Sequence, residues 1–346
     1  MKKRPTLLII RTSALGDVAM TIPAVYSLAR KYPEWDVKVL TRAPFAALFL
    51  HHPDNVSVIP ADLKGRHKGF WGLLRLLCDL RKEHIDRVAD FHDIFRSRLI
   101  DAFFRLCGKR VRVVRKARRQ RRKLTRRQNK DLTPQRNFVL RYVDVLHRLG
   151  FAVTPDFTSL FASGGERPPL PDWIPDKGVE RWVGIAPFAR YETKTYPLES
   201  MEQLVRRLSA DGFRIFLFGG GKREAAVLGA WENACPMTHA LPGKLTMPQE
   251  LSLMSRLDAM VSMDSANMHM ASLAGATVVS VWGSTTPACG FLGWGQREEN
   301  AVCLHLPCQP CTIAGSPACP LGHFDCMKRL DFELLYRRIL FITQSL

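Results

Sequence analysis

The sequence predicts an α/β protein built of two Rossmann-like halves facing one cleft, and three observations carry that expectation. Near the N-terminus, Thr6-Leu-Leu-Ile-Ile-Arg11-Thr-Ser13-Ala-Leu-Gly16-Asp17-Val18 reads as a buried strand, a short polar loop and a helix. In the second half, Ala259-Met-Val-Ser-Met-Asp264-Ser265-Ala266-Asn-Met-His269 repeats the pattern. Each loop carries a carboxylate at the carboxyl end of its strand, where ligands of open α/β sheets bind. Finally, 346 residues exceed a usual single core, so two domains are expected.

The remaining elements follow in order. Before the midpoint, strands fit 6–11, 37–41 and 87–90, and helices fit 18–31, 71–82, 94–106 and 136–149. Pro23 either lies in the first turn of a helix starting near Thr21 or kinks a longer one. The stretch 163–178 is rich in Pro and Gly and reads as a linker between a first domain (1–162) and a second (179–346). Beyond it, strands fit 182–186, 214–218, 260–263 and 278–282, and helices fit 199–210, 222–233, 248–256 and 267–274. Strands alternating with helices imply parallel sheets. The last helix is expected to pack back on the N-terminal domain. No run of 18 apolar residues is present. The start resembles a signal peptide only superficially, because its apolar run ends at Arg11 and Asp17 follows; it reads as the first strand of a cytoplasmic protein.

The net charge of +19 is concentrated. Residues 105–130 contain 14 Lys or Arg and no acid, with Arg118, Arg119, Arg121 and Arg122 at the densest point. Such a run binds a polyanion (nucleic acid, lipid phosphates or an anionic membrane surface) or is simply a solvated basic loop. No aromatic residue interleaves its densest part, which disfavours single-stranded nucleic acid.

Asp17 can cap the helix that follows it, or serve as a base projected beside the flexible Gly16. Asp264, Ser265 and Ala266 open a helix whose free amides suit a diphosphate, and His269 lies about one turn on. Gly219-Gly-Gly221 follows an apolar strand without the full G-x-G-x-x-G spacing. Together with Lys194-Thr-Tyr-Pro197, Phe218-Gly-Gly-Gly-Lys-Arg-Glu224 and Val281-Trp-Gly-Ser-Thr-Thr-Pro287, these segments resemble glycosyltransferase family 9, the ADP-heptose:lipopolysaccharide heptosyltransferases. The resemblance covers nearly the whole chain and rests on the order and spacing of the pieces.

The resemblance implies the GT-B fold, with an acceptor-binding N-terminal domain that includes the basic run and a nucleotide-sugar-binding C-terminal domain. It implies inverting transfer of heptose from ADP-heptose to a lipid-linked, anionic lipopolysaccharide inner-core acceptor, with Asp17 as general base. Lys194 would contact the donor phosphates with Asp264, Ser265, Ala266 and His269, and Arg190 is a further candidate in the Lys194 loop. Glu224 and Gly219 would meet the nucleoside. The basic run would face the acceptor and the cytoplasmic side of the inner membrane, to which the protein would be peripheral. The sequence departs from the family at Ala266, where Gly is frequent, and at Thr286, where the family carries Asp.

No cofactor is required by that chemistry. The group Cys308-x₂-Cys311-x₇-Cys319-x₆-Cys326, with His305 and His323 nearby, is compatible with structural zinc or with a reduced thiol cluster packing a loop. Three other readings stand beside the first. A transferase of the same fold could use another nucleotide-sugar. A basic nucleic-acid-binding protein would leave both aspartate loops without a purpose. A nicotinamide-dependent oxidoreductase would need a G-x-G-x-x-G after the first strand, and this chain does not supply it.

Overall fold

A computed structural model describes residues 4–162 and 164–344. Residues 1–3, Ser163 at the start of the expected linker and residues 345–346 lie outside the described residues.

The chain forms two compact units, Met1–Lys116 with Phe138–Thr158, and Ala117–Asn137 with Ser159–Leu346. The first contains β1 (Thr6–Ile10), α1 (Leu15–Ala19), α2 (Ile22–Lys31), β2 (Asp36–Arg42), β3 (Val56–Ala61), α3 (Gly69–Lys82), β4 (Arg87–Asp90), α4 (Phe95–Leu106) and β5 (Arg110–Val113). The segment α5 (Arg118–Leu124) belongs to the second unit, and α6 (Phe138–Leu149) returns to the first. The second continues with β6 (Trp182–Ala186), α7 (Leu198–Ala210), β7 (Arg214–Leu217), α8 (Gly221–Ala234), β8 (Thr238–Ala240), α9 (Met247–Met254), β9 (Ala259–Met263), α10 (Ala266–Ala274), β10 (Val278–Val281), β11 (Ala301–Val302), α11 (Asp325–Lys328) and α12 (Phe332–Gln344).

Each unit holds one all-parallel sheet. The first has the order β3-β2-β1-β4-β5 and the second β11-β10-β9-β6-β7-β8. Both are Rossmann orders, so strand order reverses between β1 and β4 in one unit and between β6 and β9 in the other. The central strands β1, β6 and β9 are buried along their whole length, as parallel strands covered on both faces must be. In the first unit Leu73, Leu76 and Leu80 of α3 join Ile100 and Phe104 of α4 over Leu8, Ile10 and Val88. Tyr142 of α6 stacks on Phe91 with ring centroids 4.5 Å apart.

Three differences from the sequence reading stand out. The expected helix at 18–31 is two helices, and Pro23 is the second residue of α2, where its missing N–H costs nothing. The last helix, expected against the N-terminal domain, places Leu335, Tyr336 and Ile339 in the second unit's core, with Tyr336 donating to Asp211 at 2.5 Å. The expected linker lies along α9 and the loop that follows it: Ser252 donates to the Pro168 carbonyl at 2.7 Å, and Lys177 donates to the Arg256 carbonyl at 2.7 Å.

The basic segment also sits elsewhere than expected, because its anchors are in the second unit. Leu124 is fully buried. Lys130 donates to the carbonyls of Cys308 (2.9 Å) and Pro310 (2.6 Å), and the Gln135 N–H to that of Ala288 (2.8 Å). Gly290 permits this approach: its φ is +83°, and a Cβ there would meet the Arg136 carbonyl oxygen at 2.8 Å.

Gly184, mid-strand in β6, leaves space for the side chains of Leu257 and Met260; a Cβ would lie 2.5 Å from an atom of each. Gly184→Ala is expected to destabilise the second unit by about 1–3 kcal/mol through overpacking. Chemical denaturation checks this, and an unchanged midpoint would show that both side chains swing aside freely.

Candidate active site

In the first unit the site begins where β1 ends. Arg11 remains buried and donates from Nη1 to the Phe91 carbonyl at 2.7 Å. Its Nη2 pairs with Asp17 Oδ2 at 2.6 Å. The same carboxylate oxygen accepts the Ala14 N–H at 3.1 Å. Asp17 therefore does cap its helix, and it is also oriented by a guanidinium; its side chain keeps 24% of its surface exposed. Burial opposes the charge on Arg11, but Tyr142, Asp17 and Asp90 outweigh it and hold the guanidinium above its ordinary range. Asp17 thus has one oxygen engaged and remains open to a reactant.

Sequence reasoning missed the loop after β4, on the other flank of the strand-order reversal. Asp90 is fully buried; its Oδ1 accepts the N–H groups of His92 (2.6 Å) and Asp93 (3.0 Å), and its Oδ2 accepts the Ser97 hydroxyl (2.7 Å). This turns His92 toward β1. His92 Nδ1 lies 3.1 Å from Thr12 Oγ1, and Nε2 lies 3.2 Å from Ser13 Oγ. Burial, then Arg11 and Lys116, push the imidazole down to about 3, so it is neutral at physiological pH. The Thr12 N–H points at Nδ1 (3.4 Å), which makes Nδ1 the acceptor and Nε2–H the donor to Ser13. One turn beyond Ser97, Asp101 is buried beside Asp90. Burial and that neighbouring charge push its carboxyl up to about 8. The available signal was Asp90 itself, a third carboxylate ending an apolar strand.

In the second unit the two corresponding loops meet. Lys194 follows β6 and Asp264 follows β9, and Lys194 Nζ donates to Asp264 Oδ2 at 3.1 Å with both side chains largely buried. Thr285, beyond β10, donates to the same oxygen at 2.7 Å. This accounts for a carboxylate among groups expected to bind phosphate: Asp264 positions a cation and a hydroxyl. Ser265 is the N-cap of α10 in an extended conformation, its side chain makes no cap bond, and its Oγ is 3.3 Å from Ser262 Oγ. Ala266 opens the helix and His269 is buried within it. Behind Lys194, Thr193 donates to the Ser316 carbonyl at 2.7 Å and accepts from Ser284 at 2.9 Å, which locks the loop.

The other expected residues divide. Glu224 accepts the Gly220 N–H at 2.7 Å, closing the turn into α8, and a Cβ at Gly219 would lie 3.1 Å from Glu224 Oε2. Arg190 is exposed, with its guanidinium 5.3 Å from the centre of the Tyr191 ring. Arg118, Arg119 and Arg122 are exposed on α5, while Arg121 lies over Phe291 at 5.7 Å. All four clustered cysteines are free thiols. Burial, then Cys311 and Cys308, push Cys326 up to about 12, so it stays protonated. Among the described residues no three His, Cys, Asp or Glu side chains form a group that could hold a metal ion.

One unit thus presents an oriented carboxylate, and the other a cation held beside a helix N-terminus, which favours anionic groups. A family model described as glycosyltransferase family 9 (heptosyltransferase) matches residues 73–321. Lipopolysaccharide heptosyltransferase 1 of Pseudomonas aeruginosa is 25% identical over 322 residues, covering 88% of this chain and 85% of that protein. Among solved structures, Escherichia coli heptosyltransferase WaaC with ADP has a TM-score of 0.69 at 17% identity, covering 97% of this chain and 99% of that one. A family 9 glycosyl transferase from Veillonella parvula has a TM-score of 0.73 at 15% identity, covering 100% and 99%.

The Asp90–Asp101 pair makes stability depend on pH. An unfolded Asp101 ionises near its ordinary value of 3.8, whereas in the fold it holds its proton to about 8. Between these values the native state binds the extra proton, so wild-type stability is expected to fall as pH rises from about 4 to about 8. Asp101→Asn removes the titration and should flatten that slope. Thermal melts of both proteins across this range check it; parallel curves would refute it.

Proposed function

The chain belongs to glycosyltransferase family 9 and is a glycosyltransferase, and from that premise we propose that it transfers heptose from ADP-heptose, with inversion, to a hydroxyl of a lipid-linked lipopolysaccharide inner-core acceptor. The observation that carries this reading is the buried Lys194–Asp264 pair at the N-terminus of α10. A cation and unpaired helix amides form a site for a diphosphate, and Thr285 adds a hydroxyl on the same carboxylate.

In the reaction the acceptor oxygen attacks the anomeric carbon as the bond from that carbon to the diphosphate oxygen breaks. The bonding electrons leave with ADP, and the acceptor proton passes to Asp17. Arg11 and the Ala14 N–H hold Asp17 Oδ2, which leaves its other oxygen to take the proton. The neutral His92, donating to Ser13, steadies the loop between them. Lys194 stabilises the growing charge on the diphosphate, a role suited to a fixed ammonium held out of bulk water. Glu224 and Gly219 border the nucleoside.

The acceptor is anionic, and we assign the exposed Arg118, Arg119 and Arg122 to its phosphates at the cytoplasmic face of the inner membrane. Among the described residues no helix is long and apolar enough to cross a membrane, which suits a peripheral enzyme.

Calorimetry with ADP-, UDP-, GDP- and CDP-sugars tests the donor; selective binding of a UDP-sugar would sink it. Asp17→Asn keeps an acceptor for the Ala14 N–H but cannot take a proton, so kcat should fall ~10²–10⁴-fold with donor affinity nearly unchanged. Comparable turnover would leave Asp17 a helix cap. Lys194→Ala should both weaken ADP binding and slow the chemical step. ADP affinity unaltered at low salt would remove Lys194 from the phosphate site.

A further inference from the structure

We propose that the N-terminal ends of α3 and α4 form a membrane-docking face that inserts aromatic side chains into an anionic phospholipid surface. The inference rests on the reading of a lipid-linked acceptor, and it places the bilayer contact on the first unit.

The apolar part is unusual for a protein surface. Phe70 is 67% exposed, Trp71 73% and Phe95 79%, with Leu74 and Ile94 exposed beside them. Single exposed apolar residues are ordinary, but a contiguous group marks a binding surface. These are contiguous. Phe70 and Trp71 meet edge to face with centroids 5.5 Å apart. Phe70, Leu73, Ile94, Phe95 and Leu99 line one groove of about 450 Å³ between the two helices. Trp71 and Leu74, with Arg66, Arg75 and Lys82, line a second hollow of about 520 Å³.

The sequence explains why these side chains stay outside. On α3, Leu73, Leu76 and Leu80 fill the core-facing positions, and Gly72 sits tight against the loop before the helix, where a Cβ would meet the His67 backbone at 2.3 Å. The helix start is thereby fixed with Phe70 and Trp71 turned away from the core.

Charge selects the occupant. Six Lys or Arg lie between Lys64 and Lys82, against one acid in the helix, Asp79, which is itself paired with Arg66 at 2.8 Å. Arg96 borders the groove from α4. Aromatic side chains that bury at the acyl boundary, flanked by cations that reach headgroup phosphates, are the composition of an interfacial membrane anchor. A neutral apolar partner would gain nothing from Arg75 and Lys82 at one hollow and Arg96 at the other. The placement also suits the reaction. The loop before α4 is the His92–Asp93 turn that braces Ser13, so the face lies at the same edge of the same sheet as Asp17. A lipid held there would present its sugar near the base.

The test needs neither donor nor acceptor, so its outcome is independent of the sugar-nucleotide screen. The full chain is co-sedimented with vesicles of phosphatidylcholine alone and with vesicles containing 30% phosphatidylglycerol, at about 0.1 and 0.5 M NaCl. Wild type should bind the anionic vesicles and retain part of that binding at high salt, because insertion is not screened. The variant Phe70→Ser/Trp71→Ser/Phe95→Ser should lose at least about tenfold at both salts while its melting temperature is maintained. Trp71→Phe keeps an apolar side chain, so it should bind like wild type but lose most of the vesicle-induced blue shift in tryptophan fluorescence. Equal binding of wild type and the triple variant would overturn the proposal. So would a dimer that forms without vesicles and is broken by the triple substitution, since the face would then join two copies of the chain.

Discussion

Burial of the central strands on both faces is the constraint from which the chemistry of this protein follows. β1, β6 and β9 expose none of their residues, so no charged group can stand within them without a large desolvation cost. Charge is confined to the first residues past each carboxyl end. Arg11, Lys194 and Asp264 are those residues or lie in the loops just beyond them, Asp90 is the last residue of β4, and each is buried enough to need a partner. Arg11 takes Asp17, Asp90 takes two backbone amides and Ser97, and Lys194 and Asp264 take each other. The two units solve one problem in the same way, with one loop on each side of the reversal in strand order.

Much of this was readable from sequence because it depends on local pattern. The all-buried strands announce themselves as apolar runs, and 87–90 and 182–186 were placed to the residue. Strands that are half exposed or very short were not seen. β3 is buried only at its ends, with Ser57 and Pro60 exposed, β5 is Arg-Val-Arg-Val on a sheet edge, and β11 is two residues long. Asp17, Lys194 and Asp264 stand out in sequence as candidates because each sits in a loop after an apolar strand, whereas the Lys194–Asp264 bond joins residues 70 apart and no local pattern encodes it. His92 escaped for the same reason: its partners Thr12 and Ser13 are about 80 residues away, and a lone histidine after a strand carries no signature.

The basic run shows the opposite limit. Its composition was obvious and its location was not. Fourteen cations fit either a polyanion or a solvated loop, but Lys130 and Gln135 tie the run to the second unit through carbonyls at positions 288, 308 and 310 that composition does not reveal. The aromatic start of α3 was hidden differently. Phe70 and Trp71 stand where the helix expected over 71–82 begins, and only the core-facing set at Leu73, Leu76 and Leu80 shows that they are turned away from the core.

The excursion of 117–137 has a bearing on how the molecule comes into being. The chain passes between its units three times, so the first unit is made of two stretches and the second of two. When residues 1–158 have left the ribosome, every strand of the first sheet is available, yet the carbonyls that receive Lys130 and the Gln135 N–H come only when positions 288–310 are synthesised. At ordinary translation speeds that wait lasts on the order of ten seconds or more, during which a strongly cationic loop hangs from an otherwise complete sheet. Cutting the gene at the proline-rich stretch would make the wait permanent. Separate expression of the two halves would therefore call for a permuted design in which 117–137 travels with the later half.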